Sequence, residues 1–401
     1  MSWPSACSGC PGVEDAAAVR FAFTEQQLEL RAAVRQVLER ECTVGDLRAI
    51  AENGPAGGAG RSAERWAVLA GLGATGLLVP ETHGGLGLSE VDLVGPIEEA
   101  GWAALPEPLT ESAGLAAPLL AETAAAAARG AGSSSLVERW LPLVASGQVV
   151  ATVGGIDVAG TGLRPATEPA PGITQGTVLT PRVVGAGRAD LALLAVFLPG
   201  SGFQLHLVES DAEWMVATPS VDGTRDLGTV EWSPWPHTLI ASGERAGALL
   251  EAVADRAALF SAAQLLGLAD RMITMTAGYA RERHQFGRPI GSFQAVKHLL
   301  ADARVQLEFA RPATYRAADS VARGLPGRSA HASMAKAMAS DAADRAARVA
   351  LQVHGAIGYT WECDLHLWMK RAWALSSAWG DAPTHRARVL QAAVADLATP
   401  G

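Results

Sequence analysis

A chain of 401 residues, 49% hydrophobic and only 18% charged, carries enough apolar material for roughly two to three domain cores. It is too long for a small binding module and too apolar for a disordered chain. Its net charge of −9 argues against a nucleic-acid surface, and no run of about 18 uncharged apolar residues marks a membrane span, so a soluble cytoplasmic protein is expected.

Residues 1–20 are rich in Pro, Gly and Ser and lack the basic-then-apolar order of a signal peptide. They read as a flexible leader. The lone CxxC of Cys7 and Cys10 has no second pair and no paired His spacing, so free thiols are preferred to a zinc site and no metal is expected. The segment FAFTEQQLEL at 21–30 opens an amphipathic helix, with Thr24 as its N-cap and Leu28, Val34, Val37 and Leu38 on its apolar face. A Gly/Ala break at 54–60 precedes a helix near 66–72. A turn-rich loop, GLLVPETHGGLG at 76–87, follows it, and then alanine-rich helix to about residue 128. From Leu136 the pattern changes to short Val/Leu/Thr runs at 149–153, 191–197, 203–208 and 229–232 between Gly and Pro clusters, the signature of a β domain of roughly 100 residues. Beyond Ser242, apolar helical segments at 244–283, 293–323 and 329–352 predict an antiparallel bundle. The divisions are therefore 21–135 helical, 136–238 β and 239–401 helical bundle. Apolar faces this extensive predict an oligomer.

No GxSxG, HExxH, P-loop or convincing GxGxxG sequence is present. The stretch YARERHQFGRPIGSFQ at 279–294 stands out because it ends one long helix, makes a tight Gly/Pro turn and begins the next. Arg283 there offers a forked donor set suited to a pyrophosphate, and Gln294 a planar amide for a heterocycle edge. A helix corner with solvated arginines is the alternative.

These residues resemble the acyl-CoA dehydrogenase family, whose corner reads R-x-x-F-G-x-x-I/L-x-x-x-Q. The loop at 76–87 is similar to the family's G-L-x-x-x-P-E-x-x-G-G-x-G, the segment QVHGAIGYT at 352–360 to its Q-x-x-G-G-x-G-[FY]-T, and 21–30 to its first helix. The resemblance implies a mostly α fold with a middle β domain: an N-terminal helical domain, a β-barrel or sandwich, and a C-terminal four-helix bundle, assembled as a dimer of dimers. It also implies oxidation of the Cα–Cβ bond of an acyl-CoA thioester, with FAD as hydride acceptor and an electron-transferring flavoprotein downstream. FAD contacts are implied at Arg283, Gln285, Phe286, Phe293, Gln294, Gln352, Val353, Gly355 and Ala356.

Departures from the family pattern sort into two groups. Where relatives carry a catalytic glutamate in an E-G-T loop, this chain has Trp379, Gly380 and Asp381. The family's second glutamate position is matched by Asp255, ahead of Arg256, which makes Asp255 the candidate base and Arg256 a substrate contact; Asp is one methylene shorter than Glu. The tryptophan, threonine and asparagine that wrap the flavin in relatives are matched by Arg182, Val184 and Gly185. Thr167, Glu168 and Pro169 copy a family T-E-P but lie too near Asp190 to be its equivalent. Residues that reach a neighbour's FAD are kept and residues that hold the chain's own flavin are lost. The expectation is an FAD-completing subunit of an α2β2 heterotetramer with a paralogous subunit, acting on a bulky, steroid side-chain-like acyl-CoA, with Asp381 touching the partner's FAD. A self-sufficient homotetramer using Asp255 and a non-redox CoA-thioester scaffold remain as alternatives.

Overall fold

A computed structural model describes residues 22–53, 62–128, 135–160, 162–169, 177–210 and 215–398. The leader, the Cys7–Cys10 pair and the break at 54–60 lie outside the described residues. Helix α1 (Glu25–Glu41) starts where expected: Thr24 and Gln27 form a reciprocal capping box, which satisfies two otherwise orphaned backbone donors. Val34, Val37 and Leu38 are buried, whereas Leu28 lies outside the apolar face. Helices α2 (Val44–Asn53), α3 (Ala63–Gly71) and α4 (Glu90–Trp102) follow, then a π-helical segment at Thr110–Ala116 that runs into α5 (Ala117–Ala128). Helix α6 (Ser135–Ala145) occupies the start of the expected β domain. Its dense apolar run with Pro142 imitates a buried strand in sequence, but Val137, Leu141 and Val144 return at helical spacing to one buried face.

The middle domain is a sandwich of two sheets. Strands β1 (Ala151–Gly154), β6 (Leu191–Leu198), β7 (Gly202–Glu209) and β10 (Leu239–Ser242) form one sheet, in the order β1-β6-β7-β10. Strands β4 (Glu168–Pro169), β5 (Val178–Val184), β8 (Met215–Ala217) and β9 (Leu227–Trp232) form the other, in the order β4-β5-β9-β8. A hairpin of β2 (Ile156–Ala159) and β3 (Gly162–Pro165) stands beside them. Period-two alternation gives β6 two buried faces. Leu191, Leu193 and Ala195 join the core shared with the helices, while Ala192, Leu194 and Val196 join the sandwich core with Val183, Val230 and Trp232. The imitation T-E-P supplies only β4, an edge strand whose Glu168 and Pro169 pair with Leu179 and Val178. Because β10 pairs with β7, the sheet extends past the expected boundary at 238.

Helix α7 (Gly243–Glu282) runs 40 residues, roughly 60 Å. It is the one described helix long and apolar enough to cross a membrane, yet 94% of the qualifying stretch is buried inside the fold. Helices α8 (Gln294–Ala322), α9 (Arg328–His354), α10 (Leu365–Ser377) and α11 (Ala382–Ala398) complete the bundle, with α9 packed on α7, α8 and α11. Helix α4 crosses α7 at two glycines. A Cβ on Gly101 would meet the Gln264 carbonyl oxygen at 2.1 Å, and one on Gly267 the Glu98 carbonyl oxygen at 1.9 Å, so the backbones touch because neither residue has a side chain. Beside that crossing, buried Glu98 and Glu99 of α4 receive cations from both directions. Arg31 lies 3.0 Å from Glu98 and 2.6 Å from Glu99, Arg35 reaches Glu99, and from α8 Arg311 reaches Glu98 and the Tyr315 hydroxyl donates to it at 2.7 Å. A buried carboxylate pair would be untenable without such partners.

Candidate functional site

The β1–β2 junction, the end of β5, the loop at 219–225 and the C-terminus of α10 enclose a cavity of about 500 Å³, within the roughly 300–1,000 Å³ range of small-molecule sites. Glycines let the backbone line it. Gly155 holds φ +90°, and a Cβ there would sit 2.0 Å from the Ala195 carbonyl oxygen. Its walls are largely apolar, with Val153, Ile156, Val184, Leu227, Trp373 and Trp379 among them. At its floor Arg225 pairs with Glu111 of the π-helical segment at 3.3 Å, both nearly buried. At its rim Asp157 faces two guanidiniums, Arg164 at 3.3 Å and Arg182 at 3.7 Å. The register of β5 against β9 shifts between Thr180 and Val183, and Arg182 takes a left-handed φ of +59° in that irregularity. Such a bulge re-aims a side chain.

The loop after α10 carries Trp379, whose φ is +58°. Two buried groups hold that conformation. Lys336 of α9 donates from Nζ to the carbonyls of Ser376 and Gly380, both at 3.1 Å, and His385 of α11 lies 2.9 Å through Nε2 from the Trp379 carbonyl. Burial pushes His385 down to about 4, so it is neutral at pH 7 and its Nε2–H donates. Asp381 accepts from the Thr384 backbone N–H at 2.9 Å at the start of α11, and those Thr384 contacts hold its carboxyl below the usual range. Burial also lowers Lys336, to about 7, against the pull of Asp381 and Asp157. Between that value and the ordinary 10.5 the unfolded chain binds a proton that the folded chain does not, so this group makes stability rise with pH by up to about 1.4 kcal/mol per unit. In Lys336→Met that slope should vanish, read as urea unfolding free energies at pH 7.5 and pH 9. Parallel profiles for variant and parent would refute it.

Asp255 and Arg256 do not come to this cavity. Asp255 is buried against the start of α9 and against α11: its Oδ2 accepts from Arg328 at 3.1 Å and Ser329 at 2.8 Å, and its Oδ1 lies 3.9 Å from Arg388. Burial raises its pKa, while Ser329 and the two arginines oppose the shift. Arg256 points elsewhere, to Glu90 at 2.7 Å and Glu122 at 2.5 Å. Adjacent residues on a helix project about 100° apart, so their succession in sequence makes two separate inter-helix ties. In this chain both residues thus take part in inter-helix ion pairs away from the cavity.

At the far end of α7, Arg283 closes the helix with its N–H on the Tyr279 carbonyl at 2.8 Å and accepts from Ile290 N–H at 2.8 Å. Strands β11 (His284–Gln285) and β12 (Arg288–Pro289) pair across Phe286 and Gly287, both left-handed at φ 52° and 75°, as a tight two-residue hairpin demands. Phe286 is 91% exposed, and Arg288 lies over Phe293 at 4.1 Å. Arg283, Gln285 and Gln294 are exposed. Tyr279 stacks on His354 at 4.3 Å and so joins this corner to the segment bearing Gln352, Val353, Gly355 and Ala356, of which Val353 is half-buried and the others exposed. Asp381 is not with them: it stands beside Lys336, and the helix rise puts roughly 27 Å along α9 between Lys336 and His354. Sequence patterns carried no signal for Lys336, His385, Glu111 or Arg225, which read as ordinary helix and loop residues.

Comparison with known proteins places this architecture. Residues 24–148 match the acyl-CoA dehydrogenase N-terminal domain and residues 249–394 the acyl-CoA dehydrogenase C-terminal domain. The fold is thus that of a CH–CH oxidoreductase class, and the chain belongs to the acyl-CoA dehydrogenase family. Among its relatives, the acyl-CoA dehydrogenase IpdE2 of Mycolicibacterium smegmatis is 31% identical over 374 residues, covering 93% of this chain and all of that protein. A solved variant of the Tcur3481-Tcur3483 steroid ACAD is 27% identical with a TM-score of 0.75, over 94% of this chain and 99% of that one. The ChsE4-ChsE5 complex from Mycobacterium tuberculosis, 24% identical with a TM-score of 0.75, matches in fold over 96% of this chain and 100% of that one.

Proposed function

We propose that this chain is the FAD-completing subunit of an α2β2 acyl-CoA dehydrogenase, joined to a paralogous subunit that holds the flavin ring and supplies the base. The carrying observation is the contrast between its two ends. The corner of Arg283, Phe286 and Gln294, with Gln352, keeps exposed donors whose chemistry fits a dinucleotide pyrophosphate and adenine. The cavity fits a flavin poorly: the ring's polar edge needs donors, whereas Val184 and Gly185 have no polar side-chain atoms. Arg182 brings a cation to its rim. The acids lining the cavity, Glu111 and Asp157, are already ion-paired, and Asp255 is tied to Arg328 and Ser329, so no free carboxylate of this chain stands ready to take an α-proton there.

FAD in the complete enzyme supplies hydride acceptance; this chain's part is to neutralise the phosphates and fix the adenosine across the interface. A complex of two differently named chains among the solved relatives supports the paralogous partner, and a steroid enzyme among them supports a bulky acyl-CoA. An electron-transferring flavoprotein is the expected acceptor. The test is flavin absorbance and native mass of the chain purified alone and with a paralogue. Expected are a flavin-free chain alone and a tetramer with about two FAD per four subunits together. A yellow homotetramer with about four FAD would overturn the reading.

A further inference from the structure

We propose that the stacked pair of Tyr279 and His354 is a positioning element: it sets the spacing between the arginine corner at 283–294 and the turn at 352–356, so that one dinucleotide can engage both. The inference rests on the reading that these two segments complete the FAD site of a paralogous subunit. It gives a role to two side chains that are not among the cofactor contacts themselves.

A continuous line of contacts joins the two segments. The backbone N–H of Arg283 donates to the Tyr279 carbonyl at 2.8 Å, so the corner hangs from the residue whose ring makes the stack. That ring lies on the imidazole of His354, with centroids 4.3 Å apart and planes 17° from parallel. His354 is the last residue of α9, and the turn that follows closes against it. Gly355 reverses the chain there with a left-handed φ of +65°. Three residues on, a Cβ on Gly358 would lie 3.1 Å from the His354 Cβ and 3.0 Å from the Leu351 Cδ1, so the returning backbone rests on His354 itself. Two rings and one close backbone approach thus connect the corner to the turn.

The imidazole is held in one orientation. Its Nδ1 lies 2.8 Å from the Ala350 carbonyl and therefore carries the hydrogen. The residue is 8% exposed, and burial lowers its pKa from the usual 6.5, so the stacked ring is uncharged at pH 7. The side chains it serves are exposed, Arg283 and Gln294 on one side and Gln352 on the other. Donors carried by two different helices recognise one ligand only when their separation is fixed to within about 0.5 Å. A pair of locked rings between α7 and α9 supplies that rigidity beneath an otherwise solvent-facing surface.

The test follows FAD release, by fluorescence on dilution, from the full-length chain assembled with its paralogue, and records the thermal midpoint of each flavin-free variant. Tyr279→Leu should weaken FAD retention about two- to tenfold, the scale of a ring–ring contact. Tyr279→Phe keeps the stack and should retain FAD as the parent does. His354→Leu should match Tyr279→Leu, and the double variant should lose no more than either single change. Two controls separate positioning from general destabilisation. Val137→Ala, a buried change on α6, which packs on α5, should lower the thermal midpoint and leave FAD retention unchanged. In an Arg283→Ala background, Tyr279→Leu should cost clearly less than in the parent, because an absent contact needs no positioning; losses that simply multiply would overturn the proposal. Parent-like retention in Tyr279→Leu, or a loss that Tyr279→Phe shares, would overturn it too. If Arg283→Ala itself retains FAD like the parent, the cofactor-completing reading fails and the proposal falls with it. If Arg283→Ala releases FAD and Tyr279→Leu does not, only the positioning role is removed.

Discussion

Arg371→Met is expected to lower the unfolding free energy by about 3–5 kcal/mol, the cost of stranding a buried charge. Arg371 is 2% exposed, and its guanidinium ties three regions together. It donates to the Leu105 carbonyl at 2.8 Å, to the Thr224 hydroxyl at 2.7 Å and to the Asp222 carboxylate. The helical domain, the β-domain loop and α10 thus share one cation. Burial alone would raise the Asp222 pKa, but Arg371 and the Thr224 hydroxyl together bring it below its ordinary 3.8. In the parent, this carboxylate contributes stability that is present above the unfolded value and lost as pH falls through the folded one. In the variant the carboxylate loses its main cation and keeps the Thr224 contacts and Arg225, so burial weighs more heavily toward the protonated form. The difference between parent and variant should therefore shrink as the pH is lowered from 7 toward 4, measured by denaturant unfolding. Asp222→Asn combined with Arg371→Met should recover part of the loss. A variant as stable as the parent at pH 7 would show that the network carries no net charge penalty.

The second large effect concerns the cofactor and leaves the fold intact. In the assembled enzyme, Arg283→Ala is expected to weaken FAD retention by about 1.5–3 kcal/mol, roughly ten- to 150-fold. The side chain is exposed, while the corner's geometry depends on Arg283's backbone bonds to Tyr279 and Ile290, so the thermal midpoint of the flavin-free chain should barely move. Arg283→Lys keeps the charge but loses the fork and should fall between the two. Flavin release followed by fluorescence on dilution reads the effect. Unchanged retention in the alanine variant would remove Arg283 from the cofactor site.

Much of this architecture is legible in the sequence because its punctuation is local. Thr24 caps α1 as its position before an amphipathic run requires, and α7, α8 and α9 begin and end within one or two residues of the expected segments. The strands at 191–198 and 202–209 follow from β-branched and leucine runs. Helix α6 was hidden because its apolar content and Pro142 mask a helical period. The π-helical turn that positions Glu111 has no compositional marker. The site fared differently, because its determinants are partnerships. Asp255 next to Arg256 looks like a matched pair in sequence, yet each answers to residues about 70 to 170 positions away. Lys336 looks like any solvated helix lysine until the loop carbonyls of Ser376 and Gly380 close over it.

The paired glutamates of α4 have a consequence during synthesis. Glu98 leaves the ribosome 213 residues ahead of Arg311, an interval of roughly 10–40 s at about 5–20 residues per second. Arg31 and Arg35 have already emerged by then, but the α8 cation and the Tyr315 hydroxyl have not. Until they do, the nascent helical domain has an incomplete charge set and an unclosed apolar flank where α7 and α8 will lie. That open flank is the kind of surface chaperones hold and aggregates recruit, so yield in a heterologous host should track translation speed and chaperone supply.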